Sequence, residues 1–197
     1  MLKILLLPLT IFLIDQISKI IIRGFNFPFL NIHVKGFVPG ESAPIINNFF
    51  NITLVENPGI AFGIDPGESL RDLILIITIL TCITILAYLI FVRNADIKTR
   101  IALALILGGA SGNLFDRIFY GVFYNYAALF QGNVVDFLDI RFFKLFLFGN
   151  IHGNYVFNFA DVSILAGVFL LIYLIMTSSK QKKIGDLIPQ VVKENEE

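Results

Sequence analysis

The chain is short of charge, of cysteine and of histidine. Asp, Glu, Lys and Arg together make up 15% of its 197 residues, against roughly 25% in soluble globular proteins. The two signs balance at 15 each, so no net field draws a polyanion and a basic nucleic-acid binder is excluded. The single cysteine, Cys82, cannot close an intramolecular disulfide, which excludes a disulfide scaffold and says nothing of redox compartment. There is no internal repeat and no low-complexity tract. No alanine precedes Ala43, so the N-terminal apolar run lacks the small-residue cleavage site of a secretory signal peptide and reads as an uncleaved helix. What is plentiful is apolar. At 56% hydrophobic, the chain is not disordered, and its natural solvent is a bilayer.

A helix needs about 20 mostly apolar residues to cross the hydrocarbon core. Four segments qualify: 2–22, 73–92, 101–118 and 159–177. Four spans place both termini on one side. Eight Lys and Arg fall in the termini and the short loop, and five in two much longer loops. The positively charged side is cytoplasmic. Both termini therefore face the cytoplasm, segments 23–70 and 119–158 face outward, and the polar tail 178–197 is a solvated cytoplasmic extension. The whole is expected to be one membrane-embedded domain, 1–197. The stretch from Ile118 to Val135 is uncharged but rich in Phe, Tyr, Asn and Gly, and reads as interfacial, not spanning.

Outside the membrane, Asn51–Val55 alternates polar and apolar residues, and Glu56-Asn57-Pro58-Gly59 then carries the Pro-Gly pair of a type II turn before Ile60–Gly63. This predicts a strand, a turn and a second strand. Val134–Phe137 also has strand character, so a small sheet rests on the outer ends of the helices. Asn57 and Gly59 are explained by turn geometry alone.

Ionisable groups in membrane helices are costly and usually functional. Asp15 and Lys19, four apart, share a helix face as a structural ion pair or as part of a site. In the third span Ala104, Gly108 and Gly112 make a small-residue packing face. Gly109, Asn113, Asp116 and Arg117 run along a neighbouring stripe. Packing explains the glycines but not Asn, Asp and Arg together at a membrane boundary. Asp161 opens the fourth span three residues after Asn158, the spacing of a capping box. Asp136 stands in the apolar run Val134-Val-Asp-Phe137, where local structure requires no acid, and Asp139 further on is expected to share its side of the chain. Two carboxylates from separate segments at one boundary cannot both ionise at close range. The ionised one takes a proton from an attacking water and the protonated one polarises a carbonyl. That chemistry is aspartic proteolysis, and it needs no metal and no cofactor.

Five separated motifs, Asp15-Gln-Ile-Ser-Lys19, Glu56-Asn-Pro-Gly-Ile-Ala-Phe-Gly63, Gly108-Gly-Ala-Ser-Gly-Asn-Leu-Phe-Asp-Arg117, Val134-Val-Asp-Phe137 and Phe157-Asn-Phe-Ala-Asp161, occur in order on four spans. With them the chain resembles the lipoprotein signal peptidase, or signal peptidase II, family over most of its length. The resemblance implies four transmembrane helices with a small extracytoplasmic sheet, in the inner membrane of a bacterium, acting as a monomer. It implies cleavage of the signal peptide of prolipoproteins just before a diacylglyceryl-modified cysteine. Asp136 and Asp161 are then the catalytic pair, and Asn57, Gly108, Asn113, Asp116, Arg117 and Asn158 line or support the site. Membrane lipids and globomycin-type inhibitors are expected to bind. Segments 123–133 and 141–156 are longer than the family pattern, and both flank catalytic positions. The aromatics of the first, Phe123, Tyr124 and Tyr126, are expected to hold the substrate's lipid and shield the pair.

Two other readings compete. Gly109-Ala-Ser-Gly112 matches the G-x-S-G of rhomboid serine proteases, which need a histidine base. The two histidines, His33 and His152, fall in outer loops. Tolerance of Ser111→Ala separates the readings. A non-enzymatic transport or binding protein would want ionisable groups deep in the bilayer, whereas here the acids gather at one boundary. Asp116, Asp136, Asp139 and Asp161 match no metal-motif spacing, and EDTA should leave the activity intact.

Overall fold

The computed structural model describes residues 2–27, 31–47, 49–59, 67–92, 94–140 and 156–194. A 3-10 turn, Leu2–Leu5, leads into helix α1, Leu6–Arg23. Gly24 stops it: its φ of 76° turns the chain while its N–H still bonds the Ile20 carbonyl. A Cβ there would run into the backbone of Gly36. The chain then forms a hairpin of β1, Gly24–Phe27, and β2, Ile32–Lys35. A second sheet has the order β3-β4-β5-β6, all antiparallel, with β3 at Ser42–Ile46, β4 at Phe50–Asn57, β5 at Val134–Ile140 and β6 at Val156–Phe157. The hairpin and β3 were not expected, because each is short and carries little alternation.

Helix α2, Glu68–Phe91, and helix α3, Ile97–Phe115, form a tight hairpin. Asp96 caps α3 by accepting from the N–H groups of Lys98 and Thr99. Buried Arg100 donates to the carbonyls of Leu89 at 2.8 Å and Val92 at 3.1 Å, satisfying the free end of α2. Helix α3 runs on through a π-helical turn, Asp116–Tyr120, and a last turn, Gly121–Phe123. Helix α4, Phe159–Glu194, continues without a break into the segment expected to be a solvated tail.

Four helices are long and apolar enough to cross a membrane: Lys3–Arg23, Ser69–Phe91, Ile97–Phe123 and Phe159–Ser178. They match the four expected spans, with the second and third longer at their ends. The third takes in Phe119–Phe123, part of the stretch read as interfacial. Helix α3 lies among the others, and its small residues let them approach. Gly108 abuts Pro8 and Ile11 of α1, Gly112 abuts Asp15 of α1, and Gly109 meets the Ala160 carbonyl and Ile164 of α4. Cys82 is buried with Ile85 and Leu89 against Ala104, Leu107 and Ala110, as a small apolar residue. Large apolar side chains such as Ile83, Leu165 and Phe169 point out of the bundle, as a bilayer requires.

Candidate functional site

One end of the bundle meets the second sheet through Asp136. Strand β5 pairs with β4 so that Asp136 faces Val55 and Val134 faces Asn57. That register brings the Asn57 amide to the carboxylate. Asn57 Nδ2 donates to one Asp136 oxygen at 3.1 Å, and Asn158 Nδ2 donates to the other at 2.7 Å. Asp136 is 2% exposed. Burial first, and then the charge of Asp161, raise its pKa to about 8.

Asp161 comes from the first turn of α4, and the capping box predicted there is formed. Its N–H donates to Asn158 Oδ1 at 2.9 Å, and its Oδ2 accepts from the Asn158 N–H at 3.2 Å. Its other oxygen accepts from Asn113 Nδ2 at 2.8 Å. Capping and site are thus the same residues: the box turns Asn158 so that its amide nitrogen reaches Asp136. Asn158, on β5's side of the α4 start, bridges the two carboxyl groups.

Asn57 also does two jobs. Its Nδ2 serves Asp136, and its Oδ1 accepts from the Gly59 N–H at 3.0 Å. This side-chain turn stands where a type II turn was expected; the φ of Gly59 is 155°, far from the value of about +80° that turn needs. Arg117 donates to the Gly59 carbonyl at 3.4 Å and lies within electrostatic reach of both Asp136 and Asp161. Residues 60–66, including the expected second strand, lie outside the described residues, as do His152 and 141–155.

The stripe expected on α3 divides. Gly109 packs on α4, Asn113 reaches Asp161, and Arg117 reaches Gly59. Asp116 turns instead toward α1, fully buried, where its Oδ2 meets Lys19 Nζ at 2.7 Å and accepts from the Val135 N–H at 3.1 Å. Asp116 follows Gly112 by one helical turn and faces α1 as Gly112 does, and Lys19 lies between it and Asn113. Gly108 is a packing contact with Pro8 and Ile11 of α1, a full turn from Gly112.

Asp139 does not share the side of Asp136. Three residues apart on a strand put them on opposite faces. Asp139 accepts from Thr53 Oγ1 at 3.0 Å. Ser111 sits beside Cys82, on the α2 side. His33 is exposed on β2.

Tyr124 and Tyr126 are both engaged by Arg23. The Arg23 guanidinium lies 3.9 Å from the Tyr124 ring centre and 5.1 Å from that of Tyr126. Tyr124 donates to the Gly24 carbonyl, and Arg23 pairs with Glu56 at 2.6 Å. Phe123 is the most exposed of the three, at 60% against 38% for Tyr126, and is stacked on Phe119 at 5.7 Å. Arg23 and Glu56 carried no sequence signal that pointed to one another. Their pairing follows from the β4 register and the end of α1.

Known proteins with this arrangement are found by sequence and by shape. The family model for signal peptidase (SPase) II matches residues 7–177. A lipoprotein signal peptidase of Moorella thermoacetica is 38% identical over 167 residues, covering 85% of this chain and 88% of that protein. One of Syntrophus aciditrophicus is 38% identical, covering 89% and 98%. A bacterial membrane enzyme solved in meso at 2.3 Å resolution superposes with a TM-score of 0.67 at 28% identity, covering 91% of each chain. With four apolar helices, a small antiparallel sheet and a match of this length, the chain is a multi-pass membrane peptidase that belongs to the signal peptidase II family.

Proposed function

We propose that the chain is an aspartic endopeptidase that cuts prolipoproteins immediately before the diacylglyceryl-modified cysteine. The observation that carries this reading is the pairing of Asp136 and Asp161 through Asn158 at the outer end of the bundle. Family membership supports prolipoproteins as substrates.

Burial and the charge of Asp161 favour a single proton shared by the pair, held on Asp136. Ionised Asp161 takes a proton from water as the water oxygen attacks the scissile carbonyl carbon. Asp136 gives its proton to the carbonyl oxygen. The tetrahedral adduct collapses, the C–N bond breaks, and the leaving amine takes the proton that Asp161 received, while Asp136 regains its own from the adduct. Asn57 and Asn158 fix the Asp136 carboxyl, Asn113 fixes Asp161, and Arg117 adds positive charge beside both.

The depth suits a lipidated substrate. A site at the membrane boundary leaves the acyl chains in the bilayer, avoiding about 0.8 kcal/mol for each CH₂ drawn into water. In this reading the enzyme works as a monomer in the bacterial inner membrane, with both termini cytoplasmic, the pair near the outer face, and globomycin-type inhibitors competing for the site. Phe123, the most exposed of the three aromatics, contacts lipid, and Phe123→Ser raises KM.

The test is a gel-shift cleavage assay on purified diacylglyceryl-modified prolipoprotein with wild type, Asp136→Asn and Asp161→Asn, each checked for folding. Cleavage by wild type alone supports the reading. A folded variant with near-normal turnover overturns the assignment of its aspartate.

A further inference from the structure

A second set of buried polar groups lies directly beneath the pair, between α1 and α3. Lys19, fully buried, has three ammonium hydrogens and three acceptors. They are Asp15 Oδ2 at 2.7 Å, Asp116 Oδ2 at 2.7 Å and Asn113 Oδ1 at 2.9 Å. The carboxylates are held from the other side as well. Gln16 Nε2 lies 2.8 Å from Asp116, and Tyr120 donates to Gln16 Oε1 at 3.0 Å. Asp15 Oδ1 accepts from the Ala160 N–H at 3.0 Å, at the start of α4.

The chemistry of Lys19 gives this set a direction. An ammonium only donates. The oxygen of the Asn113 amide must therefore face Lys19, which leaves its nitrogen to face Asp161, where it donates at 2.8 Å. Asn158 also points Nδ2 at Asn113 Oδ1, at 3.0 Å, but the same nitrogen has Asp136 at 2.7 Å and the Val135 carbonyl at 3.3 Å within reach. Two hydrogens cannot serve three acceptors fully. Lys19 commits one hydrogen to Asn113, and the charge-assisted bond polarises the amide, strengthening the N–H that Asp161 receives.

We infer that Lys19 is a positioning residue for Asp161, acting through the amide of Asn113. The inference rests on the aspartate reading above. It makes Asp15 and Asp116 the anchors of the ammonium, with no contact to substrate.

The experiment is a double-mutant cycle on cleavage of diacylglyceryl-modified prolipoprotein. Lys19→Met alone strands two buried carboxylates and tests folding more than chemistry. Asp15→Asn/Lys19→Met removes the ammonium while keeping the net charge of the cluster, with Asp15→Asn alone as its control. Both are made in the wild-type and the Asn113→Leu backgrounds, and folding is followed by thermal unfolding in micelles. The expected result is a loss of about 10²-fold in kcat with KM within about twofold, the scale on which misplaced catalytic groups act. In the Asn113→Leu background the same change costs under about threefold, because the route through Asn113 is already gone. Equal losses in both backgrounds, a loss carried by KM, or an unchanged kcat overturns the inference. Asp161→Asn runs alongside. If it cleaves normally, the aspartate reading itself has failed; if it is dead while the cycle is additive, only the role of Lys19 has.

Discussion

Two pairs of carboxylates sit within one bundle end and are treated in opposite ways. Asp15 and Asp116 share a lysine, and each touches an ammonium at 2.7 Å. Asp136 and Asp161 share an asparagine, and among the described residues their direct partners are amide N–H groups alone. A cation between two buried carboxylates lets both stay ionised, which makes a fixed strut. Amides orient carboxylates without neutralising them, which leaves one carboxyl holding a proton. The first arrangement is built to stay unchanged, and the second is able to exchange protons. Burial alone does not distinguish them, since Asp15, Asp116 and Asp136 are all shut from solvent.

The comparison is broken most directly by exchanging charge for amide in each pair. Asp136→Asn or Asp161→Asn should lower kcat by about 10⁴-fold or more, as removal of a catalytic-unit member does. Both should stay folded, because each substitution keeps the shape of the side chain and one oxygen to accept an amide N–H. In the strut the pattern inverts. Asp116→Leu leaves Lys19 one carboxylate short and the Val135 N–H unpaired, and should cost about 3–5 kcal/mol in denaturant unfolding. Its kcat per folded molecule should fall much less than that of the Asp136 and Asp161 variants. A dead but fully stable Asp116→Leu would erase the distinction.

The strut was only half legible in the chain. Asp15 and Lys19 announce each other by their spacing of four, and the four spans announce themselves by hydropathy. Asn158 and Asp161 were legible as a cap, and Asp136 as an acid with no local reason to be there. The links between these pieces were not. Lys19 to Asn113, and Asp15 to the Ala160 N–H, join residues 94 and 145 apart, and no periodicity encodes such contacts. Asp116 and Asn113 were legible as helix neighbours, but that both would reach Lys19 of α1 was not. The register that sets Asn57 beside Asp136 depends on an irregularity between Ile52 and Val55, and one residue of slip would turn the carboxylate away.

A smaller effect sharpens the account of the proton. Asp136 is raised to about 8 by burial and by Asp161, and in the proposed mechanism it acts in its protonated form. Its contribution is complete below that pH and is lost as pH rises through it, so kcat should show an alkaline limb near 8. The hydrogen bond from Asn57 favours the ionised form and holds the value down. Asn57→Leu should therefore move the limb upward, by about one unit if the bond contributes about 1.4 kcal/mol. A downward move, or no alkaline limb in either protein, would mean that Asp136 does not carry the working proton.

The smallest effect belongs to a residue inside a motif yet outside both pairs. Ser111 lies two residues from Asn113 on α3, and a helix turns about 200° over that distance. It meets Cys82 of α2, while Asn113 meets Lys19 and Asp161. The nearest described histidine in the chain, His33, stands exposed on β2. Ser111→Ala removes one hydroxyl from a helix contact and should leave kcat and KM within about twofold, with stability changed by about 1 kcal/mol or less. Loss of activity in a folded Ser111→Ala protein would revive the serine nucleophile. It would also require α3 to rotate so far that Asn113 leaves Asp161, an outcome that the stability of Asp116→Leu would test independently.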